Sequence, residues 1–186
     1  MTVVEADPAP TLEVPGIPGE VIALLDRLGM RYEVVDGLVV VMPSARKPHE
    51  RLVVRLGGQL EAQAPPELEV LGSNYNYYYA WPRGSFLNPD VIVARGEDAD
   101  DDGIRVPPLL VVEVRSPSSE RHDGITKRDI YQRSGVPSYW LVDPDEPSLT
   151  VLELDEGGRY AETARVSGAE VLRVERPFPV ELRLTR

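Results

Sequence analysis

The chain has no cysteine, so neither a disulfide framework nor a thiolate metal site is open to it. Any metal it binds must be held by oxygen or imidazole, and a reducing cytoplasm is the expected setting. No apolar run approaches the ~20 residues that span a bilayer. The N-terminus, MTVVEADPAPTLEVPGIPGE, lacks both the basic residues and the apolar block of a signal peptide, which predicts an unexported protein with no membrane partner. Basic residues are few: 20 Lys and Arg stand against 31 Asp and Glu, for a formal net charge of −11 at pH 7. That balance opposes broad attachment to a polyanion, because such attachment comes from Lys and Arg neutralising phosphates. Five of the acids lie in one run, GEDADDDG at 96–103, which reads as a solvated surface loop because it lacks the ligand spacing of an EF-hand. A divalent cation would in any case reverse the local sign of a carboxylate site.

What is present suffices for one core. A length of 186 residues with 42% hydrophobic content fits a single domain. Residues 1–17, with Pro8, Pro10 and Pro15, read as a flexible tail, and 18–186 as the folded domain. From Pro18, the residues Val21, Leu24, Leu25 and Leu28 recur at helical spacing before Gly29. RYEVV and LVVVM flank Asp36-Gly37, a two-residue hairpin signal. Between Ala45 and Gln63 a second helix puts His49, Leu52, Val53, Leu56 and Leu60 on one face and stops at Pro65-Pro66.

LEVLG, YNYYYAW, NPDVIVA and PLLVVEVR then read as strands, the last two separated by the acidic run. A helix from Asp123 to Ser134 ends at Gly135 and leads into SYWLVD, a turn at PDEP and the strand LTVLEL. Strand, helix and strand in that order predict an α/β (α+β) fold with a mixed sheet flanked by helices.

The chemistry is carried by Asp90, Glu113, Arg115 and Lys127. Residues two apart on a strand share a face, so Glu113 and Arg115 point away from Val112 and Val114. A carboxylate inside an apolar strand needs a cation beside it. If the strands from Asp90 and to Arg115 are antiparallel neighbours, the two carboxylates converge, and a divalent cation relieves their repulsion. Lys127 heads the stripe Lys127, Ile130, Tyr131 and Ser134, whose spacing faces one side of the helix, and its ammonium can reach Glu113. Carboxylates, a cation and a metal are the parts that phosphodiester hydrolysis requires.

Plainer readings are a turn residue for Asp90, an ion pair of Glu113 with Lys127 or Arg115, a core histidine for His49 and an N-terminal cap for Asp123. Of the tyrosines 75, 77, 78 and 79, half are expected in the core rather than stacked on bases.

The succession PD (89–90), EVRSPSS (113–119), Asp123, Lys127, Tyr131 and GVPSYWLVDP (135–144), with YEVVDGLVVVMPSARKPH (32–49) upstream, resembles the Uma-two family of the PD-(D/E)XK nuclease superfamily. The resemblance implies a restriction-endonuclease-like core with an N-terminal helix and β-hairpin, and a divalent-metal-dependent endonuclease acting on DNA as a homodimer. It implies Mg²⁺ or Mn²⁺ on Asp90, Glu113 and the carbonyl of Val114, with His49, Glu33, Asp123 and Tyr131 near the site. The superfamily's usual lysine position, two after the acid, is held by Arg115, and Lys127 on the following helix matches its replacement. Arg115 stays charged and can hold a phosphate, whereas Lys127 can shed a proton and is expected as the catalytic cation. A fold of this kind without turnover, binding nucleic acid or protein, is the alternative. The exposed segment 68–81 is the expected dimer contact.

Overall fold

The computed structural model describes residues 16–80, 84–115 and 123–184, with no side chains for 123–126. The expected tail, up to residue 15, therefore lies outside the described residues, as do Trp81, the part of the 113–119 motif beyond Arg115, and the side chain of Asp123. The fold is of mixed α and β type. No helix among the described residues is long and apolar enough to cross a membrane.

Helix α1 (Gly19–Arg27) precedes the hairpin β1 (Tyr32–Val35) and β2 (Leu38–Val41), whose turn holds Asp36 and Gly37 at positive φ. Helix α2 (Lys47–Glu61) follows, then β3 (Leu68–Gly72), β4 (Tyr77–Ala80), β5 (Ser85–Leu87) and β6 (Val91–Arg95). The acidic run is not an open loop. It forms a 3-10 turn at Gly96–Asp98 and a tight pair, β7 (Ala99–Asp100) and β8 (Gly103–Ile104). Asp100 turns this pair by accepting the N–H groups of Asp102 and Gly103. Gly103 is required there: its φ is +146°, and a Cβ would lie 2.5 Å from the carbonyl oxygen of Asn76.

Next come β9 (Leu110–Val114), α3 (Asp123–Arg133), β10 (Ser138–Asp143), β11 (Ser148–Leu154), β12 (Tyr160–Ser167), β13 (Val171–Val174) and β14 (Val180–Arg183). One six-stranded sheet has the order β12-β11-β10-β9-β6-β3, and within it only β9 and β10 run parallel, joined through α3. A second has the order β2-β1-β5-β4-β8-β7.

Alternation along the strands sorts the first sheet's residues onto two faces. Val91, Val93, Leu110, Val112, Val114, Trp140 and Val142 pack against α2 and the β13–β14 hairpin. Gln59 and Gln63 fasten that layer, each both donating to and accepting from the backbone of β14, at Arg183 and Glu181 respectively. On the opposite face Ile92, Ala94, Val111 and Tyr139 meet Ile130 and Tyr131 of α3 and Tyr77, Leu87 and Ile104 of the second sheet.

Two sequence expectations are corrected. In α1 the buried residues are Ile22 and Leu25, whereas Val21, Leu24 and Leu28 are exposed. The helix packs on a small cluster with Val34, Tyr78 and Phe86, so the i, i+3 pair Ile22 and Leu25 faces inward and the longer stripe faces out. The segment 68–81 is not an exposed surface as a whole. Its strand β3 is a sheet edge, but Tyr77 and Tyr78 are both buried, because β4 is an inner strand covered on each side by a different cluster.

Candidate hydrolytic site

The start of β6 and the end of β9 lie side by side. Val91 pairs with Val112 and Ile92 with Val111 in an antiparallel register, which continued by one residue sets Asp90 opposite Glu113. Glu113 follows the parity of Val111 and meets Lys127 and Tyr131 of α3, while Asp90, just before β6, meets His49 of α2. The register of two adjacent strands thus brings two carboxylates to one buried edge.

Each is held by the fold around it. The backbone N–H of Val114 donates to Asp90 Oδ2 at 2.8 Å, and His49 Nε2 lies 3.1 Å from the same oxygen. His49 sits in the first turn of α2, so the buried stripe of that helix ends at the carboxylate. The hydrogen bond to Asp90 raises the His49 pKa above its ordinary value, against the opposing effect of burial. Its other ring nitrogen, Nδ1, is buried without a hydrogen bond; Glu50, 3.6 Å away, is beyond bonding reach.

Tyr131 donates its hydroxyl to Glu113 Oε1 at 2.6 Å, and Lys127 Nζ stands 3.2 Å from that oxygen. Lys127 is closer to Glu33 of β1, at 2.7 Å, so its primary partner comes from the hairpin rather than from β9. Glu33 is 1% exposed, and its Oε1 also accepts the backbone N–H of Asn88.

Carboxyl groups outnumber basic side chains in the cluster. Three carboxyl groups, buried Glu33 and Asp90 and part-buried Glu113, face one lysine and one histidine. Burial pushes the Glu113 carboxyl up to about 7; Lys127 counteracts this, and the charges of Asp90 and Glu33 add to it. Burial works to lower the Lys127 pKa, but Glu113 and Glu33 outweigh it and hold the ammonium well above its ordinary range. In the metal-free chain Glu33 and Glu113 thus favour the charged form of Lys127. Burial, then Glu113 and Glu33, likewise hold the Tyr131 phenol well above its ordinary value, so it remains a donor.

Arg115 does not join them. Strand β9 ends at Val114, and the Arg115 N–H donates to the carbonyl of Val142. Its guanidinium is half exposed and lies 3.7 Å from Asp143, so the strand-face alternation that pairs it with Glu113 in the sequence is not carried to the site. Asn88 and Asp143 are contacts the sequence reading missed. An asparagine directly before Pro-Asp was the available signal for the first; the second needed the parallel register of β9 and β10.

The donor set suits a hard cation. Asp90 Oδ1 and Glu113 Oε2 make no hydrogen bond among the described residues, and two such carboxyl oxygens suit a divalent ion. Among the described residues no three His, Asp or Glu side chains form a ready metal cage. Asp90 and Glu113 are the two carboxyl groups the described residues bring together there.

A model of the Uma2 family, described as "Putative restriction endonuclease", matches residues 19–186. A solved structure titled as a putative nuclease belonging to DUF820, from Anabaena variabilis ATCC 29413, is similar with a TM-score of 0.63 at 16% identity, covering 78% of this chain and 81% of that one. At that identity the likeness bears on the fold. No curated protein matches.

Proposed function

Since the chain belongs to the Uma2 restriction-endonuclease family, we propose that it is a divalent-metal-dependent endonuclease of the PD-(D/E)XK type that hydrolyses phosphodiester bonds in DNA, working in the cytoplasm. The observation that carries the reading is the buried convergence of Asp90, Glu113 and Lys127 at the β6–β9 edge. Asp90, Glu113 and the carbonyl of Val114 would hold Mg²⁺ or Mn²⁺. When bound, such an ion polarises a phosphoryl oxygen and acidifies water.

The residues divide the remaining work. Val114 N–H and His49 fix one oxygen of Asp90, leaving the other outward. Tyr131 fixes Glu113 in the same way. Lys127, held charged by Glu33 and Glu113, stabilises charge that develops on the phosphate. Arg115, half exposed at the rim, contacts a neighbouring phosphate of the substrate. His49, Glu33 and Tyr131 would support the site, and Asp123 is proposed with them on the family resemblance alone.

The net charge and the closed Glu33–Lys127–Glu113 pairing favour a second reading, a nuclease fold that binds nucleic acid or protein without turnover. Incubation with plasmid, single-stranded DNA and RNA in Mg²⁺ or Mn²⁺ separates the two: cleavage abolished by chelator supports the endonuclease, whereas retention of substrate without cleavage supports the binding module. A double-strand cutter needs two sites, so a homodimer is also proposed, with the β3 edge as its contact. A monomeric mass by light scattering at micromolar concentration would reject it.

A further inference from the structure

A line of polar contacts, buried at Glu33 and part-buried at Asn76, leaves the site in a direction the proposed chemistry does not use. It starts at Lys127, whose Nζ is 2.7 Å from Glu33 Oε1, and the same oxygen accepts the Asn88 backbone N–H at 2.9 Å. Asn88 Nδ2 donates to Asn76 Oδ1 at 2.6 Å. Asn76 in turn donates to the Tyr78 hydroxyl at 3.1 Å and to the Asp102 carbonyl at 3.3 Å, and its own carbonyl accepts the N–H of Ile104. The far end of the line is the acidic β7–β8 pair, which packs on Asn76 so closely that Gly103 has no room for a Cβ.

Asn88 is the joint in this line. It precedes Pro89, which confines its backbone to extended conformations, and Asp90 follows directly. Its N–H meets Glu33 while its side chain donates to Asn76, so a rotation here would move both the acceptor that retains Lys127 and the neighbouring Asp90. Asn88 is 8% exposed, so its amide cannot exchange Asn76 for bulk water without opening the site.

We propose that Asn76 and Asn88 are positioning residues, an amide relay that fixes Glu33 and thereby sets the place of Lys127 in the hydrolytic site. The inference rests on the endonuclease reading for its catalytic meaning, while the relay itself can be read without turnover. The chain has just two lysines, exposed Lys47 and buried Lys127, so full-length protein labelled with ¹³Cε-lysine gives one resonance for the site and one internal reference.

The test compares Asn88→Ala with wild type by this spectrum, by thermal unfolding and by plasmid cleavage in Mg²⁺ or Mn²⁺. The expected result is that the Lys127 resonance moves toward that of Lys47, and that kcat falls about 10- to 100-fold while KM stays within about twofold. Asn76→Asp, which keeps the oxygen that accepts from Asn88, should leave the Lys127 resonance near its wild-type position, and Asn76→Leu should move it as Asn88→Ala does. These two variants carry the same comparison if Asn88→Ala does not fold. An unmoved Lys127 resonance in Asn88→Ala or Asn76→Leu, with only the melting temperature lowered, would overturn the relay and leave the amides as packing. Absence of cleavage in every metal would instead strike the endonuclease reading, and the lysine spectrum would still decide the relay.

Discussion

The two faces of the six-stranded sheet are made by the same strands, yet they are stabilised differently. Toward α2 and the β13–β14 hairpin, the row Val91, Val93, Leu110, Val112 and Val114 is apolar to its end. Toward α3, the row that includes Val111 ends in Glu113, with Lys127 and Tyr131 against it and Asp90 at the adjoining strand edge. The first face gains from burial alone, on the order of 25 cal/mol per Å² of apolar surface. The second buries charges whose desolvation is repaid only by a close set of partners, and an unpaired carboxylate there would cost several kcal/mol. A sheet needs the first face to fold; the second is evidence of a site.

The largest effect should separate function from folding. Lys127→Ala is expected to abolish plasmid cleavage and leave metal affinity, read by titration calorimetry, largely intact, because Lys127 is not among the proposed ligands. It should also lower stability by about 3–5 kcal/mol in denaturant unfolding, since it strands buried carboxylates. Leu110→Ala on the apolar face should cost about 2–5 kcal/mol and keep the cleavage rate of the folded fraction. If Lys127→Ala cuts at the wild-type rate while Arg115→Lys gains activity, the catalytic cation is Arg115.

A finer comparison uses pH. Glu113 titrates near 7 in the folded chain against 4.5 ordinarily, so between these values the folded state keeps a proton that the unfolded state has released. Stability from this group therefore falls as pH rises from about 4.5 to 7, and no further above that. Glu113→Gln removes the slope: in chelator its melting temperature should gain on wild type from pH 5 to pH 8. Parallel profiles would mean that Lys127 neutralises Glu113 fully and that charge burial does not distinguish the two faces.

The smallest effect belongs to the rim. The Arg115–Asp143 pair is half exposed at 3.7 Å, so Arg115→Ala should change stability by less than about 1 kcal/mol. It should weaken DNA retention and flatten its salt dependence by about one phosphate contact, measured by fluorescence anisotropy across a salt series.

Local patterns sufficed wherever a residue's fate depends on near neighbours. The two-residue turn at Asp36-Gly37, the buried stripe from His49 to Leu60 and the inward row Lys127, Ile130 and Tyr131 follow from chain geometry, as does the turn that pairs β10 with β11. The acidic composition and the lack of cysteine limited the site to oxygen and nitrogen donors before any fold was known. Less was legible where edges meet. Strands β12 to β14 gave no clear signal, since YAETARVS is mostly exposed and its outer edge is unpaired. The inner face of α1 depends on Tyr78 and Phe86, more than fifty residues away in sequence.

Residue types and spacing by themselves determined that a carboxylate would interrupt an apolar strand and that a lysine would face it from a helix. Only the tertiary structure decided that Glu33 is the closer partner of Lys127, that Asn88 donates to both Glu33 and Asn76, and that Arg115 turns to Asp143. The physical reason is that charge is long-ranged but its neutralisation is not: which carboxylate comes within 3 Å of an ammonium is set by the packing of a hairpin, a helix and two sheets. No periodicity within one segment records that distance.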